Sequence, residues 1–176
     1  MEIILIAAIS EHNMGIGKDN KLLWKQNTLK DDMELFKEIT TGYPVIAGRK
    51  NYESIPKKYR PLSDRKNIVL TKNTDYLSDK GVVVVNDIES AIDQAKLTGL
   101  DKCFIIGGSQ IYKEFINLDL VDKMIISWVK GCDIEPDTIF PNIDINKWIL
   151  VDKKEYPKDS NNLYSFDFCI YEKKSF

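Results

Sequence analysis

A chain of 176 residues, 43% of them apolar and 10% aromatic, suffices for one sizeable core, and two domains would stretch it. Charged side chains make up 30% of the chain, both signs interspersed, for a net charge of -2; a phosphate-backbone partner needs a basic stripe, so no nucleic acid is expected. Cys103, Cys132 and Cys169 are widely spaced and the one histidine is His12, which speaks against a disulfide framework and against a bound metal.

The apolar run over residues 3–9 is too short for a bilayer and follows an acidic Glu2, so it reads as a buried strand and not a leader. No membrane segment is expected elsewhere, and the cytoplasm is the expected compartment. Residues 10–27, with Gly15, Gly17 and little periodicity, read as one long loop of the kind that is functional or disordered. Helical spacing covers 29–40, and strands follow at 43–47 and 67–71. A strand at 81–85 leads to a helix over 88–97, with Asp87 as its N-cap and Gly99 as its stop. A strand at 103–106, a helix over 110–116 and a strand at 123–129 continue an alternation that implies parallel pairs. Strand-like runs at 148–156 and 163–171, with only loop between them, imply an antiparallel hairpin at the sheet edge. The expected class is α/β in a single domain over 1–176.

Three places carry candidate chemistry. On a helical wheel Leu29, Met33, Leu35, Phe36 and Ile39 span one apolar arc, and Asp32 falls inside it. Asp31 points elsewhere, toward Glu34, Lys37 and Glu38, as solvated first-turn charge. A carboxylate on an apolar face has a raised pKa and needs a partner, which makes Asp32 a site candidate; the plainer reading is a residue that merely caps the first turn. Next, the run from Cys103 ends in Gly107-Gly108 and opens into Ser109, Gln110, Ile111 and Tyr112, a strand-to-helix junction able to cradle phosphate or simply to connect. Finally, Gly48 is followed by Arg49, Lys50 and Asn51, and Thr71 and Lys72 end the next strand in the same way; such cations suit a ligand with several phosphates or are plain surface charge. The Rossmann fingerprint fails, because Gly15-Ile-Gly17 lacks its third glycine, and Gly17-Lys18 is followed by Asp19, so there is no P-loop. His12 reads as an exposed loop residue.

Taken in order, Ile6-Ala7-Ala8, Ile16-Gly17, Leu23-Trp24, residues 44–49, Glu53-Ser54-Ile55, 65–70, 105–108 with Ile111-Tyr112, and 137–141 resemble the successive blocks of the dihydrofolate reductases. Each block is modest, the ordered set is specific, and the match runs from Ile3 to about Phe168. The resemblance implies a central eight-stranded mixed, mostly parallel twisted sheet with four flanking helices. It also implies reduction of dihydrofolate to tetrahydrofolate by NADPH, in support of one-carbon and thymidylate metabolism, antifolates as inhibitors, and a monomer. By it Asp32 is the carboxylate that binds the pterin and assists protonation of N5 through water, with the Ser127 hydroxyl beside it. Leu22 and Trp24 belong to a loop that closes over the reacting rings. Ile6, Met33, Phe36, Ile55, Leu62 and Ile106 line the pterin and benzoyl site, Arg65 pairs with the α-carboxylate of the folate tail, and Lys57 lies along it. The cofactor site comprises Ala8, Ile16, Gly17, Asn20, Gly48, Arg49, Lys50, Asn51, Thr71 and Lys72 together with Gly107, Gly108, Ser109, Gln110, Ile111 and Tyr112, and a cis bond is implied between the two glycines.

The chain departs from the family's pattern in having Leu23 before the tryptophan, about three additional residues around 25–28, Asn51 for a threonine and Tyr52 for a tryptophan. Two rival readings are a same-fold pyrimidine reductase of riboflavin biosynthesis and a catalytically silent nucleotide-binding module. Asp32 with Arg65 argues against the first, and an Asp32 that has not been neutralised argues against the second.

Overall fold

The computed structural model describes residues 1–25 and 27–175, so Gln26, inside the segment expected as a loop, lies outside the described residues. In chain order the elements are β1 (Glu2–Ser10), β2 (Gly15–Lys18), β3 (Lys21–Leu22), α1 (Lys30–Thr40), β4 (Val45–Gly48), α2 (Arg49–Ser54), β5 (Asn67–Leu70), β6 (Val83–Val85), α3 (Ile88–Lys96), β7 (Lys102–Gly107), α4 (Ser109–Asn117), β8 (Lys123–Val129), β9 (Thr138–Ile139), β10 (Trp148–Tyr156) and β11 (Phe166–Lys173). Eight strands form one sheet in the order β10-β11-β8-β1-β7-β4-β5-β6. Pairs within β8-β1-β7-β4-β5-β6 are parallel, and β11 runs antiparallel to both β8 and β10.

β1 is apolar nearly throughout because both of its faces are covered. Ile3, Leu5 and Ile9 enter one core, with Ala91 and Ala95 of α3 and Ile111, Tyr112 and Phe115 of α4. Ile4 and Ile6 enter the other, with Val45, Phe104, Ile125 and Phe168, against which Leu35, Phe36 and Ile39 of α1 pack. Tyr52 of α2 extends that second face over Ala47 and Val69. Helices therefore cover both faces, two to a side. Asp87 caps α3 as expected, its carboxylate accepting from the Ser90 N–H at 2.7 Å, and Gly99 past the helix end has φ +72°.

Two expectations need correction. Residues 10–27 are not one loop: β2 pairs with β3 and, across the chain, with β9, in a separate three-stranded sheet. Strands of four and two residues show no period of their own, and β9, the second partner of β2, lies more than a hundred residues away. The final strand starts at Phe166, not at residue 163, because Leu163 turns aside and donates its N–H to the Thr28 carbonyl at 2.7 Å.

The small sheet is packed tightly where β2 begins. A Cβ at Gly15 would lie 2.7 Å from Leu23 Cδ2 and 2.8 Å from both Asn13 Oδ1 and Pro136 Cβ. Gly15→Ala is therefore expected to lower the free energy of unfolding by about 1–3 kcal/mol, as overpacking does, measured by urea titration; an unchanged midpoint would mean that the segment yields freely.

Candidate active site

α1 enters the second core with Leu29 as its N-cap and both acids in its first turn. Asp32 Oδ1 accepts a hydrogen bond from Ser127 Oγ at 2.5 Å. Ser127 lies on β8, paired with Ala8 of β1 and Phe168 of β11, so the sheet sets its hydroxyl beneath the helix. Desolvation pushes the Asp32 carboxyl up to about 6, against the downward pull of the Ser127 hydrogen bond. Tyr112 lies close enough that burial, and then the charge of Asp32, raise its phenol well above its usual value, while its hydroxyl donates to the Ile6 carbonyl at 2.7 Å. Asp31 is not the solvated charge expected from the wheel: its carboxylate accepts from the Asn162 and Asn161 amides at 2.8 and 3.2 Å.

Ile6, Ala8, Trp24, Phe36, Leu62 and Ile106 share the apolar cluster behind Asp32. Ile55 packs on the adjoining one with Ile106. Leu22 and Met33 instead stand 49% and 44% exposed, so Met33 marks the edge of the apolar arc and not its middle. Lys57 is exposed on a short 3-10 turn. The Arg65 guanidinium is held by the Thr40 hydroxyl at the far end of α1 (2.9 Å) and the Ser63 carbonyl (2.8 Å), which occupies two of its five N–H donors. The Asn67 amide shapes that turn, accepting from the Leu62 N–H at 2.9 Å and donating to the carbonyls of Leu62 and Arg65.

β4 and β7 are parallel neighbours, Ala47 opposite Gly107, and each runs straight into a helix. The N-caps of α2 and α4 are Gly48 and Gly108, neither helix has a side-chain cap, and so two sets of free N–H groups open side by side at the carboxyl ends of neighbouring strands. The Gly107–Gly108 peptide is cis. A Cβ at Gly48 would meet Ile111 Cγ1 at 2.8 Å, so the strand end and α4 touch only because no side chain intervenes. Asn51 ties α2 to β7 through the Ile106 carbonyl at 3.1 Å, and Ser109 Oγ ties α4 to the small sheet through the Ile139 carbonyl at 2.6 Å. A groove of about 420 Å³ brings Asn20, Arg49 and Lys50 together with Glu53, Asp137 and Thr138. Arg49 meets Glu53 at 2.9 Å and lies 6.0 Å from the Tyr76 ring centroid. Ile16 is half-buried and Gly17 buried on β2, Gln110 and Lys72 are exposed, and Thr71 is buried with its hydroxyl accepting from the Asn73 N–H.

The family model for dihydrofolate reductase matches residues 2–173. The chain belongs to the dihydrofolate reductase family. A dihydrofolate reductase of Bacillus subtilis is 38% identical to it over 93% of this chain and 90% of the relative. The type 3 dihydrofolate reductase of Salmonella typhimurium is 35% identical over 99% of each. A solved dihydrofolate reductase of Enterococcus faecalis, complexed with NADP(H) and RAB-propyl, superposes with a TM-score of 0.85 at 32% identity, covering 99% of this chain and 97% of that one. Like other dihydrofolate reductases, the protein is an NADPH-dependent oxidoreductase that converts dihydrofolate to tetrahydrofolate.

Sequence reasoning missed Thr40 and Asn67, which hold Arg65 and its turn. A polar residue that ends an apolar helix face, and an asparagine that opens an apolar strand, were the available signals.

Because the unfolded Asp32 carboxyl titrates near 3.8 and the folded one near 6, the folded state holds the additional proton between those values. Its stability is then full below about pH 4 and declines as pH rises through 6. Asp32→Asn keeps an acceptor for Ser127 and removes the charge. The ligand-free variant should exceed the parent by about 1–3 kcal/mol at neutral pH and lose that advantage near pH 4. Urea unfolding at the two pH values reads this, and equal stabilities at neutral pH would mean that Asp32 is solvated.

Proposed function

We propose that the cleft reduces dihydrofolate with Asp32 as the carboxyl that holds the pterin and serves its N5 with a proton through water, Ser127 orienting it. The observation that carries this reading is the 2.5 Å bond from Ser127 to a carboxyl raised to about 6. Such a group is ionised enough near neutral pH to accept from the pterin's ring N–H and amino group, and protonated enough to act as an acid.

Support for the remaining roles comes from placement and chemistry. Ile6, Phe36, Ile55, Leu62 and Ile106 supply an apolar slot for flat rings, with Met33 at its rim. Arg65 offers a prealigned fork to the α-carboxylate of the substrate tail, and exposed Lys57 a second positive charge. Uncapped α2 and α4 ends, with Arg49, Lys50 and Lys72 nearby, fit a dinucleotide diphosphate carrying a further phosphate on its ribose. When bound, NADPH supplies the hydride that reaches pterin C6. Ala8, Ile16 and Tyr112 flank its nicotinamide; Leu22 and the rest of the small sheet, with Gly17, Asn20 and the following Trp24, close over the rings and exclude water.

The same-fold pyrimidine reductase is disfavoured, because neither a carboxyl set for a pterin nor an arginine set for a folate tail belongs to it. We take residues 1–176 as one domain that acts as a monomer in the cytoplasm. Among the described residues no helix is long and apolar enough to cross a membrane. Edge strand β10 is blunted by a bulge at Val151 and by Asp152, Lys153 and Lys154, devices that oppose edge-to-edge pairing.

Dihydrofolate-dependent oxidation of NADPH, followed by absorbance beside folate-free and NADH controls, tests the reading; cofactor binding without turnover would move it to the silent module. The rate of reduction should fall about tenfold per pH unit well above 6, and Asp32→Asn should depress it strongly near neutral pH while sparing NADPH affinity. Similar small losses in turnover and affinity would remove Asp32 from its role. Arg49→Ala should weaken NADPH about tenfold or more and NADH little, read by fluorescence titration, whereas identical losses would put the ribose phosphate elsewhere.

A further inference from the structure

Asp32 projects from the first turn of α1, so whatever holds that turn also places the carboxyl. A helix start leaves N–H groups without partners, and the N-cap side chain usually meets one of them. Here the N-cap is Leu29, which has no oxygen to offer and is buried in the core beside Trp24 and Phe168. The acceptors arrive from the connection between β10 and β11. The Lys30 N–H donates to the Asn161 carbonyl at 3.1 Å, and the Asp31 N–H donates to Asn162 Oδ1 at 3.3 Å. In return the Asp31 carboxylate accepts from Asn162 Nδ2 at 2.8 Å and from Asn161 Nδ2 at 3.2 Å.

Asn162 is wholly buried and is itself fixed. Its backbone N–H donates to Asp159 Oδ1 at 3.0 Å, its carbonyl accepts from the Asp159 N–H at 3.0 Å, and Leu29 and Asn162 form an antiparallel bridge. The Asn162 amide thus accepts from the Asp31 backbone N–H and donates to the Asp31 carboxylate, a reciprocal cap assembled from residues 131 positions apart.

We propose that Asn162 and Asp31 are a positioning pair: the β10–β11 connection caps α1 from outside the helix and so sets where Asp32 meets the pterin. Neither residue touches the reacting atoms; they act through the backbone that carries Asp32. The inference rests on the reading of Asp32 as the pterin carboxyl.

A role confined to stability would reduce the number of active molecules, lowering apparent kcat and leaving KM unmoved. A displaced first turn instead weakens dihydrofolate and leaves NADPH alone. The test measures KM and kcat for dihydrofolate, and Kd for NADPH, in the full chain carrying Asn162→Asp, Asp31→Asn or both. Asn162→Asp sets two carboxylates against each other and should raise KM for dihydrofolate about tenfold with NADPH affinity kept. Adding Asp31→Asn restores one amide and one carboxylate with the partners exchanged and should return KM to within about twofold of the parent.

An unmoved KM in Asn162→Asp with only a lower thermal midpoint, or a raised KM that the exchange leaves uncorrected, overturns the proposal. If Asn162→Asp does not fold, Asn162→Ser, which keeps a shortened acceptor, carries the same test: a raised KM supports the pair and a parental KM overturns it. Undiminished turnover in Asp32→Asn would be a failure of the Asp32 reading itself, whatever Asn162 does, so the two failures are told apart.

Discussion

A carboxylate moved from water into an apolar cleft is unstable unless its surroundings either satisfy it or let it take up a proton, and Asp32 sits between these outcomes. Ser127 supplies one strong hydrogen bond to one oxygen. The other lone pairs remain for a substrate. Much of the architecture serves this compromise: β8 aims the hydroxyl, α1 brings the acid, and the apolar side chains of β1 and α1 keep bulk water from the rest. A better solvated acid would titrate far below neutrality and hold no proton to give. One with no hydroxyl partner would be neutral too often to grip the pterin's donors.

The end of the cleft proposed to take the phosphates rests on the opposite strategy, one of backbone and not of buried charge. Two parallel strands end in glycine beside each other, and the helices that follow present their N-termini without side chains in the way. Arg49 and Lys50 stand at the rim, where screening by water is acceptable because the partner is also charged. On the reading proposed, dipoles hold an anion and a tuned acid holds an amphoteric ring, both toward the carboxyl ends of the parallel strands.

Much of this is legible in sequence where the signal is local. The alternation of apolar runs marks the strands of the large sheet to within a few residues, and the wheel over 29–40 separates Asp32 from Asp31. Short strands and distant partners leave local pattern silent: β2 and β3 are too brief to show a period, β9 joins β2 from far along the chain, and the true surroundings of Asp31 lie at Asn161 and Asn162. Thr40 and Asn67 were hidden for the same reason, since a buried hydroxyl or amide states nothing about whom it meets. The resemblance to a family reaches further than periodicity because it carries such distant pairings with it.

The order of strands in the large sheet sets a condition on how the chain is made. β1 leaves the ribosome well before its neighbours β7 and β8, which begin at Lys102 and Lys123. A run of nine residues, seven of them Ile, Leu or Ala, must wait without a partner while most of the protein is synthesised. Contacts so far apart in sequence slow folding, and an unpaired apolar strand is prone to meet another copy of itself. The centre of the finished sheet is therefore an apolar strand that stays unpaired through much of synthesis, so crowding of nascent copies bears on yield, as the strength of the mature core also does.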